Sequence, residues 1–272
     1  MAEDETVFET STGPPRIITA ASLFDGHDAA INVMRRLIQS SGAEVIHLGH
    51  DQSAKAVVDC AIQEDAHGVA LTSYQGGHVE YFTYIRQLLD EAGCQHIKIF
   101  GGGGGTITPP EIKTLHESGI SKIYSPDDGR AMGLMGMIHH LMGLASEVDL
   151  VNPERLATLD SPITAEEMAR VGLLLTMSES ADETTFKATL ETCRSSDKEV
   201  PVIGFTGTGG AGKSSLLDEL MLRILRDNPG KKVCLLCVDP TRKRTGGALL
   251  GDRIRMNSLS NNDLYMLSLI HI

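Results

Sequence analysis

Basic residues are in short supply: 24 Lys and Arg stand against 36 Asp and Glu, a formal net charge of −12. No run of Lys and Arg is long enough to track a phosphate backbone, so partners among nucleic acids or acidic membrane surfaces are not expected. Long apolar stretches are also missing. Nothing approaches the roughly 20 consecutive apolar residues of a membrane span. The acidic opening over residues 1–9 is the opposite of a basic, apolar secretion signal, so a cytoplasmic location is expected. The five scattered cysteines exclude a disulfide framework and suit a reducing compartment. Cys234 and Cys237 form a C-x-x-C, but they fall in an apolar run, 232–238, that reads as a buried strand. Positions three apart then face opposite sides, so core packing is expected rather than metal or redox chemistry.

What is present begins with glycine. Gly207-Thr208-Gly209-Gly210-Ala211-Gly212-Lys213-Ser214 is a complete phosphate-binding loop. Its glycines let backbone N–H groups curl around phosphates, Lys213 can reach the β and γ oxygens, and the Ser214 hydroxyl can ligate Mg²⁺. Residues 200–205 read as a short buried strand before the loop, and from Ser215 to Leu225 the apolar spacing is helical. A nucleotide site is the expectation.

Three stretches organise the 272 residues, of which 41% are apolar, enough to bury two ordinary cores. After a flexible start (1–14), residues 15–145 alternate strands (16–21, 43–48, 68–72, 96–101 and 122–124) with helical patterns. That rhythm predicts an α/β fold, a flavodoxin-like doubly wound parallel sheet of about five strands. Residues 146–199 carry Pro153, Pro162, many acids and a weakly amphipathic helix near 165–177, and read as a helical linker. Residues 200–272 open a second α/β domain of the P-loop type, which is incomplete.

In an open parallel sheet the ligand sits outside the carboxyl ends of the strands. Asp25-Gly26-His27 follows the first strand, Thr72-Ser73 the third, and Gly101-Gly102-Gly103-Gly104-Gly105 the fourth. A loop imidazole preceded by a carboxylate suits a metal-ligating His: the carboxylate accepts one ring N–H while the other nitrogen faces the metal. Five glycines strip side chains from one loop, so a flat or chain-like ligand can lie against backbone. Each sign alone also describes an ordinary surface loop, but the three occur at successive strand ends.

Asp25-x-His27, the Ser73 loop and the five-glycine tract resemble the cobalamin-binding domain of adenosylcobalamin-dependent acyl-CoA mutases. The resemblance implies that His27 is the lower axial ligand of cobalt and Asp25 its partner. It also implies that Ser73 and Gly101 to Gly105 line the slot for the displaced nucleotide tail. Ala30 stands where the family motif usually has glycine, and Asp25-Gly26-His27-Asp28-Ala29-Ala30 is similar to the variant found in fused isobutyryl-CoA mutases.

The second domain points the same way. Gly207 to Ser215, Val238-Asp239-Pro240 and the run from Arg244 through Gly251-Asp252-Arg253-Ile254-Arg255-Met256 resemble the G-protein chaperones of acyl-CoA mutases. The match implies nucleotide contacts from Gly207, Gly210, Ala211, Gly212, Lys213, Ser214, Ser215 and Arg255. It also implies Mg²⁺ held by Ser214, Asp239 and Asp252, oxygen donors that suit this ion. A cobalamin domain followed by this G-domain is the order of the fused mutases. The chain is therefore expected to be their amino-terminal part, binding adenosylcobalamin and GTP or GDP, with GTP hydrolysis gating cofactor loading. The acyl-CoA barrel, the Asn-Lys-x-Asp base reader and any catalytic residue lie outside it, and the full-length protein is expected to be a homodimer. A non-catalytic cobalamin carrier or GTP-dependent chaperone for a separate mutase is the alternative. A receiver-like sheet joined to an ATPase is more distant, because the first strand lacks paired acids. From Leu267 onward the expected Arg-rich continuation does not appear.

Overall fold

The computed structural model describes residues 8–196, 198–239 and 248–270, without the side chains of Asp239, Ala248, Leu249 and Ile270. Its first half comprises β1 (Arg16–Ser22), α1 (Asp28–Ser40), β2 (Glu44–Gln52), α2 (Ala54–Gln63), β3 (Gly68–Thr72), α3 (His78–Glu91), β4 (Lys98–Gly102), α4 (Pro109–Glu117), β5 (Lys122–Tyr124) and α5 (Pro126–Ser146). The helices α6 (Pro153–Leu156), α7 (Met168–Ser180) and α8 (Glu183–Cys193) follow. After them come α9 (Lys213–Asp227), β6 (Val233–Asp239), β7 (Ala248–Leu250) and β8 (Leu264–Ile270).

The first five strands pair in parallel in the order β5-β4-β3-β1-β2, the doubly wound arrangement whose switch point lies between β1 and β3. Alternation along each strand divides the core between two faces. Ile18, Ile46, Val69, Leu71 and Ile99 meet α2, α3 and α4, whereas Ile17, Val45, Ala70 and Phe100 meet α1 and α5. Helix starts follow local chemistry. Ser53 Oγ accepts from Ala56 N–H at the head of α2, and Ser125 with Asp128 forms a capping box ahead of Pro126 in α5. α5 then breaks at Gly133, whose φ of +67 lies in the left-handed region.

At the amino-terminal ends of the strands a buried polar network fastens the linker helices down. Asp65 accepts from Arg155 Nη2 at 2.6 Å and from Thr176 Oγ1 at 2.8 Å, and Arg16 Nη2 donates to the same threonine at 3.2 Å. Burial alone would raise the Asp65 carboxyl, yet its bonds to His96 and Arg155 and the charge of Arg16 hold it down at about 2. The linker carries its own small core of Leu159, Ile163, Leu173, Met177 and Cys193. Gly172 of α7 lies so close to α2 that a Cβ there would meet Ile62 O at 2.7 Å.

In the second half, β6 and β8 pair in parallel, and α9 packs on them through Met221 and Leu225. Three expectations change. Residues 200–205 form no strand: Val200, Val202 and Ile203 are 77%, 93% and 73% exposed, because β6 and β8 pair with each other and no ladder takes up this segment. The strand read as buried, now β6, is one-sided: Leu235 is buried while Leu236 and Val238 are more than half exposed. Cys234 and Cys237 still face opposite ways, exposed and half-buried, and burial pushes the Cys237 thiol up to about 11. Finally, the first sheet has six strands, because β7 adds in parallel to the edge of β2 and Leu250 enters the first core. The altered run near Leu267 lies within β8.

His67 makes acid stability testable. Its Nδ1 accepts the Arg16 N–H at 2.9 Å and its Nε2 faces Thr10 Oγ1 at 3.2 Å, so the buried ring must be neutral; burial and the Arg16 charge push it down to about 3. The unfolded chain therefore binds a proton that the fold does not, between about pH 6.5 and 3. Stability should fall by about 2 kcal/mol on going from pH 7 to 5 through this residue alone. Urea unfolding of His67→Gln should show a flatter pH dependence across that interval.

Candidate functional site

The carboxyl ends of β1, β3 and β4 converge, as the loop chemistry anticipated, and one carboxylate joins two of them. Asp25 is fully buried. Its Oδ1 accepts the backbone N–H of His27 at 2.9 Å and faces His27 Nδ1 at 2.8 Å, while Oδ2 accepts the Tyr74 N–H at 2.7 Å. Burial would raise the Asp25 carboxyl, but these N–H donors outweigh it and its pKa is lowered. An ionised carboxylate only accepts, so the ring proton must sit on Nδ1 and the lone pair on Nε2. The His27 side chain is 65% exposed and the Tyr74 ring lies 5.6 Å from it, so Nε2 is available to a metal.

Ser73 is buried beside this pair. Its hydroxyl bonds Ser22 Oγ at 2.9 Å, and its N–H donates to Gly102 O at 2.9 Å. The glycine tract is not one bare loop. Gly101 and Gly102 end β4, Gly103 is a bend, and Gly104–Thr106 is a 3₁₀ turn. A Cβ on Gly101 would meet the Phe82 ring at 2.4 Å, and one on Gly103 would meet Ser73 O at 1.9 Å; Gly105 faces open space. Two of the five glycines are therefore demanded by the fold itself. Below the tract a cavity of about 270 Å³ opens between α1 and α5, lined by Ala30, Ile31, Met34, Phe100, Tyr124 and Leu141 among others. Ala30, in place of the usual glycine, forms part of this wall.

Four contributors escaped the sequence reading: Tyr74 and Ser22, which bond Asp25 and Ser73, Asp51, and Arg253. Asp51 Oδ1 accepts the Phe24 N–H at 2.6 Å, and Phe24 has a φ of +64, a conformation that costs a non-glycine residue about 1–2 kcal/mol. The Leu-Phe-Asp-Gly-His string gives no sign of this bond, since its acceptor lies 27 residues away.

In the phosphate loop, Gly210 and Gly212 take φ of +77 and +80, which turn the chain into the amino terminus of α9. Lys213 Nζ donates to Gly207 O at 2.8 Å and Thr208 O at 3.0 Å, closing a ring over Gly207 to Lys213 in which anion-seeking N–H groups and an ammonium sit together. Ser214 and Ser215 begin α9, and Ala211 N–H donates to Thr208 O at 3.3 Å. The other predicted ion-binding residues are placed apart from the loop. Asp252 and Arg255 lie in and around a short 3₁₀ turn after β7, 3.9 Å from each other. The Asp239 side chain lies outside the described residues. Between Asp252 and Arg255, Arg253 is buried and reaches into the first domain, donating to Glu64 Oε1 at 2.9 Å and Gln63 Oε1 at 3.1 Å.

Two family models divide the chain. The B12 binding domain matches residues 15–124, and the methylmalonyl-CoA mutase-associated GTPase MeaB matches residues 168–269. The chain is 51% identical over 261 residues to a fused isobutyryl-CoA mutase of Geobacillus kaustophilus, covering 93% of this chain and 24% of that protein. It is likewise 51% identical over 258 residues to that of Nocardia farcinica, again with 24% of the relative covered. The chain thus spans about a quarter of the length of these relatives. The small subunit of 2-hydroxyisobutanoyl-CoA mutase from Aquincola tertiaricarbonis is 33% identical over 115 residues, 42% of this chain and 82% of its own.

The glycine geometry carries a direct test. Gly103→Ala should destabilise the protein by about 1–3 kcal/mol, because Ser73 O must move, whereas Gly105→Ala should stay within about 0.5 kcal/mol. Urea titrations of the two variants measure the contrast.

Proposed function

The chain belongs to the family of fused isobutyryl-CoA mutases, with a cobalamin-binding domain followed by a GTPase domain, and we propose that its His27 is the lower axial ligand of adenosylcobalamin. The observation that carries this reading is the Asp25–His27 pair: Nδ1 is committed to a buried carboxylate at 2.8 Å while the ring stands exposed. The surroundings fit the group. The cavity between α1 and α5 is apolar and suits the base that His27 would displace. Gly103 and Ser73 wall it without side chains that could intrude. Adenosylcobalamin supplies a cobalt–carbon bond whose homolysis can start a radical rearrangement. Asp25 holds the imidazole tautomer and orientation, and Ser73 and the glycines from Gly101 to Gly105 bound the slot for the tail.

In the second domain, Gly207, Gly210, Ala211, Gly212, Lys213, Ser214 and Ser215 cradle the phosphates of GTP, with Arg255 adding positive charge. Ser214, Asp239 and Asp252 supply oxygen ligands for Mg²⁺. Because Asp252 lies outside the phosphate loop in the structure, ion binding requires its turn to approach α9. The whole protein would interconvert isobutyryl-CoA and n-butyryl-CoA in the cytoplasm as a homodimer. Its acyl-CoA site would lie in a barrel beyond these residues, and GTP hydrolysis would gate cofactor loading. Among the described residues no helix is long and apolar enough to cross a membrane. The extent of similarity to single-chain fused mutases, 93% of this chain, favours this reading over a free-standing carrier.

Titration with adenosylcobalamin should give the absorption spectrum of a base-off, histidine-ligated corrinoid. His27→Ala should lose that spectrum, and an unchanged spectrum would sink the assignment. Asp25→Asn should bind roughly 10- to 100-fold more weakly while keeping ligation. Lys213→Ala should abolish GTP binding in calorimetry and leave the corrinoid spectrum intact.

A further inference from the structure

Phe24 is a strained aromatic residue held out into solvent on the loop that carries His27. It is 79% exposed, whereas no other large apolar side chain of the first domain named as exposed exceeds 51%. Its φ of +64 is a conformation that bulky side chains adopt only when their surroundings impose it. Here the imposing contact is visible: Asp51 Oδ1 accepts the Phe24 N–H at 2.6 Å. Asp51 itself has a φ of +56, so two of the three described non-glycine residues with positive φ are hydrogen-bonded to each other at this loop. Such strain persists only where the structure over-determines it, and it gathers at ligand clamps. Nothing in the first core explains the arrangement, because the ring is not part of that core.

We infer that Phe24 is a corrin-packing residue, braced by Asp51, that supports the macrocycle bound at His27. The inference rests on the cobalamin reading of His27. Three residues span at most roughly 11 Å of chain, so Phe24 lies within that distance of the ligand. A corrin with its methyl and amide arms is broad enough to reach the loop on which its ligand stands. Its edge is apolar, and a phenyl ring offers a large area at little entropic cost, with two side-chain torsions. Leu23, 38% exposed next to it, extends the same apolar rim. Asp51 is a positioning residue: it touches no cofactor and acts by fixing the backbone from which the ring projects.

The test uses adenosylcobalamin and the purified chain with Phe24→Gly, Phe24→Leu and Asp51→Ala. Glycine is the decisive substitution, since it relieves the left-handed strain while deleting the ring. If the ring packs on the corrin, Phe24→Gly should bind about 10- to 100-fold more weakly, the loss expected for uncovering a phenyl side chain. The spectrum of the residual complex should remain histidine-ligated, and the unfolding midpoint of the cofactor-free protein should hold or rise. Phe24→Leu should recover most of the affinity, and Asp51→Ala should lose part of it. Equal or tighter binding by Phe24→Gly would overturn the inference, showing that the residue serves loop geometry or another protein surface. Failure of the parent chain to bind cobalamin in the histidine-ligated form would instead refute the reading of His27.

Discussion

Everything at the carboxyl end of the sheet hangs on the Asp25 carboxylate. A buried, ionised group is costly unless its lone pairs are matched, and this one is matched by two backbone N–H groups and an imidazole from the loops after β1 and β3. Those bonds do two things at once. They offset the desolvation of the charge, and they hold the His27 ring with one nitrogen occupied and the other facing out. The third loop joins through Ser73, whose N–H and carbonyl bond Gly102 and Thr106. A metal ligand with preset tautomer and direction loses little freedom when it binds, which is the advantage of preorganisation.

Most of this was legible in the sequence, for a definite reason. The strands of the first domain are buried on both faces and short, so their apolar runs stand out between glycine- and acid-rich ends, and 68–72 and 122–124 appear in the structure at the predicted bounds. Asp25 and His27 are two residues apart, so their pairing is local and visible. Partnerships formed across the chain are a different matter. Asp51 lies 27 residues from Phe24, and Glu64 lies 189 from Arg253. No periodicity announces either one. The glycine tract misled in part because a sequence cannot separate glycines required by packing, such as Gly101 against Phe82, from those facing open space, such as Gly105.

The second domain shows the limit of local pattern. Residues 200–205 have the composition of a strand, but a strand exists only when a neighbour offers a ladder, and β6 and β8 are already paired. β7 makes the complementary point: three residues inside a motif associated with nucleotide binding become a strand because the β2 edge is available. Edge availability is a property of the folded sheet and cannot be read from the joining segment alone.

The junction at Gln63, Glu64 and Asp65 sits at the opposite end of the sheet from His27. Glu64 and Arg253 are buried together, with 1% and 5% of their side chains exposed, while Tyr265 donates to Gln63 O and Arg155 to Asp65. Three consecutive residues thus hold the first sheet, the linker and the strands of the second domain. Detaching either domain would leave a buried charge without its counter-charge, a penalty of several kcal/mol. The two domains therefore melt as one cooperative unit rather than as beads on a string, and the free energy of each is partly stored in the other.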